Sequence, residues 1–106
     1  MVTIDQVRQV ELKVVTITQA QDHPNADRLL VLTVEAGGVT KQVVAGIRGH
    51  YHAADVIGKS VILVDNLEPA TIRGVESQGM LLAAQGGDAF SLLTLDRPVP
   101  PGSAVR

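Results

Sequence analysis

Short aliphatic runs separated by turn residues leave this chain little choice of fold. In "RLLVLTVEA" (28–36), Leu30, Leu32 and Val34 fall on one parity, the two-residue period of a strand with one buried face. Gly37 and Gly38 then reverse the chain tightly, so "VTKQVVAG" (39–46) reads as the hairpin partner of that strand. Upstream, "ELKVVTITQA" (11–20) alternates with a change of phase, Leu12 and Val14 on one parity and Val15 and Ile17 on the other. A bulge between Val14 and Val15 would turn all four inward and bend the strand as a small barrel requires. "DHPNAD" (22–27) is the turn cluster joining the first two strands.

The period switches once after the third strand. "HAADVI" (52–57) suits a short helix stopped by Gly58, and "KSVILVDNL" (59–67) returns to a strand apolar on both parities, as expected where a barrel wall is also covered from outside. About a dozen polar, Gly-containing residues then separate "VILV" (61–64) from a fifth strand, "MLLAA" (80–84), where a tight hairpin needs two to five. "GGDA" (86–89) turns the chain into "FSLLTL" (90–95), and the Pro-rich tail predicts extended packing rather than a sheet centre. At the other end, Thr3 and Gln6 have capping-box spacing ahead of a short helix over 4–10. Three strands, a helix and two strands is the order of an all-β, five-stranded OB-fold Greek-key barrel. Here the short helix lies between strands 3 and 4, N- and C-terminal extensions flank the barrel, and residues 1–106 form one domain.

Composition narrows the chemistry. Tyr51 and Phe90 are the only aromatics, so Val, Leu, Ile and Ala must build the core, and base-stacking platforms for single strands are scarce. Cysteine is absent, which removes disulfides and thiolate chemistry and fits a reducing cytoplasm. No apolar run approaches the ~18 residues of a membrane span, and the first residues lack the apolar stretch of a signal peptide; a soluble cytoplasmic protein is expected. His23, His50 and His52 lack companions at metal-ligand spacing and read as surface or turn histidines. No metal or other cofactor is expected. Ser77 lies in no nucleophile elbow and no Gly-rich phosphate loop is present, so catalysis is not expected either. A net charge of −2 means that a polyanion must meet a local basic patch, for which Arg28, Lys41, Arg48, Lys59 and Arg73 are the candidates.

Three blocks in register make that patch specific. "HPNADRL" (23–29), "QVVAGI" (42–47) and "NLEPATIRGVESQGMLLAA" (66–84), with "VPPGS" near the end, closely resemble the tRNA-binding domain found as free-standing dimeric proteins and as the C-terminal appendage of methionyl-tRNA synthetases. The resemblance implies a non-catalytic barrel that reads folded tRNA by shape and backbone contacts and assists aminoacylation. It places Arg73, Ser77, Gln78 and Met80 on the RNA-binding face, with Asn66 beside them; from the basic candidates, Lys41, Arg48 and Lys59 are expected to join Arg73 in supplying charge. It also implies a homodimer, through residues 4–17 and 90–106, and association with a synthetase body. Glu68 and Thr71 stand where the family often carries lysines, which predicts modest, salt-sensitive affinity. The alternative is a dimeric peptide-binding export chaperone of a related OB-fold family.

Overall fold

A computed structural model describes all residues 1–106. Helix α1 (Ile4–Arg8) opens the chain, and its capping box forms as the spacing predicts: the Thr3 hydroxyl accepts from the Gln6 N–H at 3.1 Å while the Gln6 carboxamide accepts from the Thr3 N–H at 2.8 Å. Strands β1 (Leu12–Asp22), β2 (Leu30–Glu35) and β3 (Thr40–Ala45) follow as an antiparallel meander, and α2 (Ala53–Val56) leads into β4 (Ser60–Val64). The long connection is not loop throughout. It contains a hairpin of β5 (Ala70–Ile72) and β6 (Val75–Ser77), after which β7 (Met80–Leu81) pairs with β4. A second hairpin, β8 (Ala83–Gly86) with β9 (Ala89–Leu92), comes next, and β10 (Ala104–Val105) returns to pair with Leu12 and Lys13 of β1.

The main sheet runs β3-β2-β1-β4-β7, and β3 approaches β6 and β7 on its far side, so the sheet curls toward closure. This is the expected five-strand order with its helix between the third and fourth strands. The first four strands start or end one to three residues from their expected bounds, and two later ones differ more: residues 80–84 divide between β7 and β8, and the strand starting near Phe90 ends at Leu92, where Leu93 bonds back to Leu82. Val15 and Ile17 of β1, Leu30, Leu32 and Val34 of β2, Val43 and Ala45 of β3, and Val61 and Leu63 of β4 fill the interior, with Val56 of α2 and Leu92 closing it. Each of the larger aliphatics contributes about 1.5–3 kcal/mol by leaving water, which lets the chain manage almost without aromatics.

The bulge in β1 is displaced from its expected position. The β1–β4 ladder runs unbroken from Leu12 to Thr16, and the register shifts between Ile17 and Gln19 instead. The inward parity therefore passes from Val15 and Ile17 to Ala20, which pairs with inward-facing Leu32. No bulge is needed at Val14 because the outer side of this wall is itself buried, at Val14, Ile62 and Val64. At the real bulge the Thr18 hydroxyl donates to the Thr33 carbonyl at 3.3 Å, where a ladder bond is lost.

Candidate nucleic-acid interface

The segment "ESQGM" turns out to close the barrel. β3 has a free edge, and side chains as well as backbone supply its partners. The Ser77 hydroxyl accepts from the Val44 N–H at 2.9 Å and donates to the Gly79 carbonyl at 3.0 Å, while the Gln78 carboxamide accepts from the Gln42 N–H at 2.9 Å. Gln78 N–H returns a bond to the Gln42 carbonyl, and the Gln42 side chain reaches the Glu76 carbonyl. Ser77 is only 4% exposed. Its hydroxyl is committed within the wall, so it shapes the surface rather than offering a free group to a ribose.

From that seam the β5–β6 hairpin projects alongside β3 to a two-residue turn, Arg73–Gly74, with φ of 53° and 86°. Both central residues in the left-handed region is the signature of a type I′ turn, which suits the twist of paired strands but normally selects Asn or Gly first. Arg73 is the one non-glycine residue of the chain with positive φ, a conformation costing roughly 1 kcal/mol or more for a residue with a Cβ.

His23 fixes where this tip lies. It is 3% exposed, so it is no surface histidine: its Nδ1 accepts from the Asn25 N–H at 2.9 Å, which leaves the proton on Nε2 to donate to the Ile72 carbonyl at 3.0 Å. The ring satisfies both loops at once. Ala26, Asp27, Arg28 and Leu29 then share a cleft with Ile72 and Arg73. Arg48 donates to the Asp22 carboxylate at 3.0 Å and toward the Ala26 carbonyl, while its own N–H bonds the Arg28 carbonyl. Arg28, Arg48 and Arg73 are thereby gathered around one rim, made by the β1–β2 loop and the hairpin tip.

Lys41 belongs elsewhere. It shares parity with Val43 and Ala45, as Lys13 does with Val15 and Asp65 with Leu63, so all three charges occur where inward-facing positions reach the mouth of the barrel. Asp65 accepts from Lys13 at 2.8 Å and from Lys41 at 2.7 Å, with its side chain 11% exposed. Hydrogen bonds from Lys13 and Lys41 hold the Asp65 carboxyl below its ordinary 3.8, outweighing partial desolvation, and the Lys13 ammonium correspondingly keeps its proton more tightly. A carboxylate with a depressed folded-state pKa contributes stability above its unfolded value and loses it as pH falls through the folded one. Asp65→Asn is therefore expected to flatten the stability loss of the parent below roughly pH 5, measured as urea midpoints down an acid series.

The remaining candidates are dispersed. Lys59 is exposed beside α2 and mid-β1, its carbonyl accepting from the Ile17 N–H, and no contact joins it to the rim. The Asn66 carboxamide accepts from the Glu11 N–H and donates to the Gln9 carbonyl, tying the segment after α1 to the end of β4. Met80 is 49% exposed on β7, next to the seam. Of the eight candidates, Arg48 and Arg73 meet at the rim, Gln78 and Ser77 build the wall leading to it with Met80 exposed beside them, and Lys41, Lys59 and Asn66 lie apart. No group of three or more His, Asp or Glu side chains is placed to hold a metal ion.

Residues 12–104 match the tRNA binding domain family. The chain belongs to that family. This tRNA-binding domain is 43% identical over 104 residues to the methionine–tRNA ligase of Thermotoga maritima, covering 98% of this chain and 16% of that protein. It thus spans about one sixth of that ligase. Among solved structures, a MetRS-related protein from Pyrococcus horikoshii matches with a TM-score of 0.93 at 31% identity, over 100% of this chain and 98% of that one. The CsaA chaperone protein from Picrophilus torridus matches with a TM-score of 0.92 at 28% identity, over the whole of both chains. The tRNA-binding domain and that chaperone share a scaffold, so the difference between them must lie in surface chemistry.

Proposed function

We propose that this tRNA-binding domain holds folded tRNA through backbone contacts at the rim formed by residues 22–29 and the Arg73–Gly74 turn. It adds affinity to a methionyl-tRNA synthetase in the cytoplasm and catalyses no step itself. The observation that carries the reading is Arg73: an arginine held at positive φ on an exposed turn, beside Arg28 and Arg48. A strained residue at a tip points to a use for its side chain. Guanidinium groups suit phosphate because their planar forks donate in pairs, and phosphate and 2′-hydroxyl contacts suit a folded RNA whose major groove side chains do not read. Asp22 and Asp27 lie at the same rim, so the local excess of positive charge is small and affinity is modest, while the arginine–phosphate contacts make it salt-sensitive.

Arg73→Asn separates the two roles. Asparagine fits the turn better, so stability is expected to rise by about 0.5–1 kcal/mol. Affinity for tRNA falls roughly three- to tenfold, and the slope of log K against log salt shrinks by about 0.7–0.9. Urea denaturation and fluorescence anisotropy at several salt concentrations read both; unchanged affinity removes Arg73 from the interface. A second reading, a peptide-binding chaperone, draws on the likeness to CsaA. Titration with folded tRNA, heat-unfolded tRNA and unfolded polypeptide decides between them, and preference for the polypeptide sinks the tRNA reading.

The same reading makes the particle a homodimer through residues 4–17 and 90–106. Helix α1 has five residues and buries none of them, leaving Ile4 63% and Val7 51% exposed. So short a helix is unstable without packing. Val7, Val10, Leu12, Ala104 and Val105 line an apolar groove beside it, the face a second copy would cover. Sedimentation equilibrium is expected to give twice the chain mass; a mass fixed at 11.2 kDa at every concentration rejects the dimer.

A further inference from the structure

The chain's two aromatic residues and one of its three histidines meet at a single place, on the same side of the fold as the turn that carries Arg48. His50 stacks on Phe90 with ring centroids 4.2 Å apart and planes 10° from parallel, and Tyr51 meets Phe90 edge-on at 6.4 Å. The stack is firmly built. Tyr51 and Phe90 pack against the core, and the Tyr51 hydroxyl accepts from the Leu92 N–H at 3.1 Å, which ties β9 to the turn. His50 N–H and Tyr51 N–H both bond the Ile47 carbonyl, so the turn bearing Arg48 and His50 is pinned at its base. His50 itself is exposed. One face of its ring rests on Phe90, leaving a flat π-surface outward, two residues from an arginine of the rim.

We infer that His50, backed by Phe90, is a stacking platform for one unpaired nucleobase of the bound RNA. The inference rests on the tRNA reading and extends it from backbone to base. Paired bases of an A-form helix present only their edges, so the ligand is a base from a loop or a single-stranded end. Every base has a π-face, so such a platform adds affinity without choosing sequence. It also changes the expectation from composition that this chain has little to stack with: two aromatics are few, yet both stand behind one exposed imidazole.

The test uses unmodified tRNA and the intact chain. His50→Ala is expected to weaken binding roughly fivefold or more, the loss of one stacked base, with the slope against log salt unchanged. His50→Phe is expected to retain affinity within about twofold, since a ring and not a charge is required. His50 is exposed, so both variants are expected to fold, which thermal denaturation checks. Equal affinity of His50→Ala and parent overturns the inference. So does a loss shared by His50→Phe with a shallower salt slope, which marks a phosphate contact. If the parent itself shows no preference for folded tRNA, the proposed function fails first and is recognised separately.

Discussion

Replacing His23 by alanine is expected to lower the stability of the domain by about 2–4 kcal/mol, although His23 lies in no strand, one residue past the end of β1. The estimate comes from two sources. Removing a nearly buried ring leaves a cavity, and it strips the Asn25 N–H and the Ile72 carbonyl of their partners, each worth about 1–3 kcal/mol if left unsatisfied. Water reaching the loop offsets part of that sum. The hairpin tip should loosen before the barrel does, because β5 and β6 pair only with each other and lean on β3. Hydrogen exchange is therefore expected to quicken at Ile72 and Val75 more than at Leu32 or Val43, and tRNA affinity to fall even where the chain remains folded. An exchange map in which all four residues speed up alike would mean that His23 supports the whole fold and not the rim in particular.

Much of the scaffold was legible in local pattern. The parity of Leu30, Leu32 and Val34, the paired glycines at 37 and 38, and the stop at Gly58, whose φ is +90°, each determine structure within a few residues. The bulge was legible in kind but not in place, since the apolar outer parity at Val14 is buried too, and a wall covered on both sides hides its own phase. Lys41 carried a signal that its charge obscured: it shares parity with Val43 and Ala45 and so belongs to the barrel mouth, where Asp65 meets it. His23 and Ser77 gave no local signal of their roles. Beyond Asn25 and Gly79 two residues on, their distant partners, Ile72 and Val44, lie 49 and 33 residues away, and only closure of the barrel brings them together. Arg28 is the rim residue that spacing brought forward as a basic candidate but the motif blocks did not single out as a contact; its position beside Arg73 depends on the same closure.

That closure rests on Gly79, and Gly79→Ala is expected to be among the most damaging small substitutions in the chain. A Cβ there would sit 2.7 Å from Leu63 Cδ1 and 2.9 Å from the Val64 carbonyl oxygen. The leucine methyl has somewhere to go. The carbonyl does not, because Leu63 and Val64 pair with Leu81 and Met80 on one side and with Lys13 and Leu12 on the other. The chain must therefore move β7 outward, and with it the Gln78 and Ser77 bonds that give β3 its partners. Overpacking of this kind costs about 3 kcal/mol or more when backbone is the obstacle. Gly74, five residues earlier in the same motif, offers the comparison: no atom lies within 4 Å of its Cβ position, and only its φ of +86° resists a side chain. Gly74→Ala should cost about 1 kcal/mol, confined to the turn. Urea midpoints for the two variants should differ by a factor of two or more in their displacement from the parent; equal displacements would mean that the barrel is not held shut at this seam.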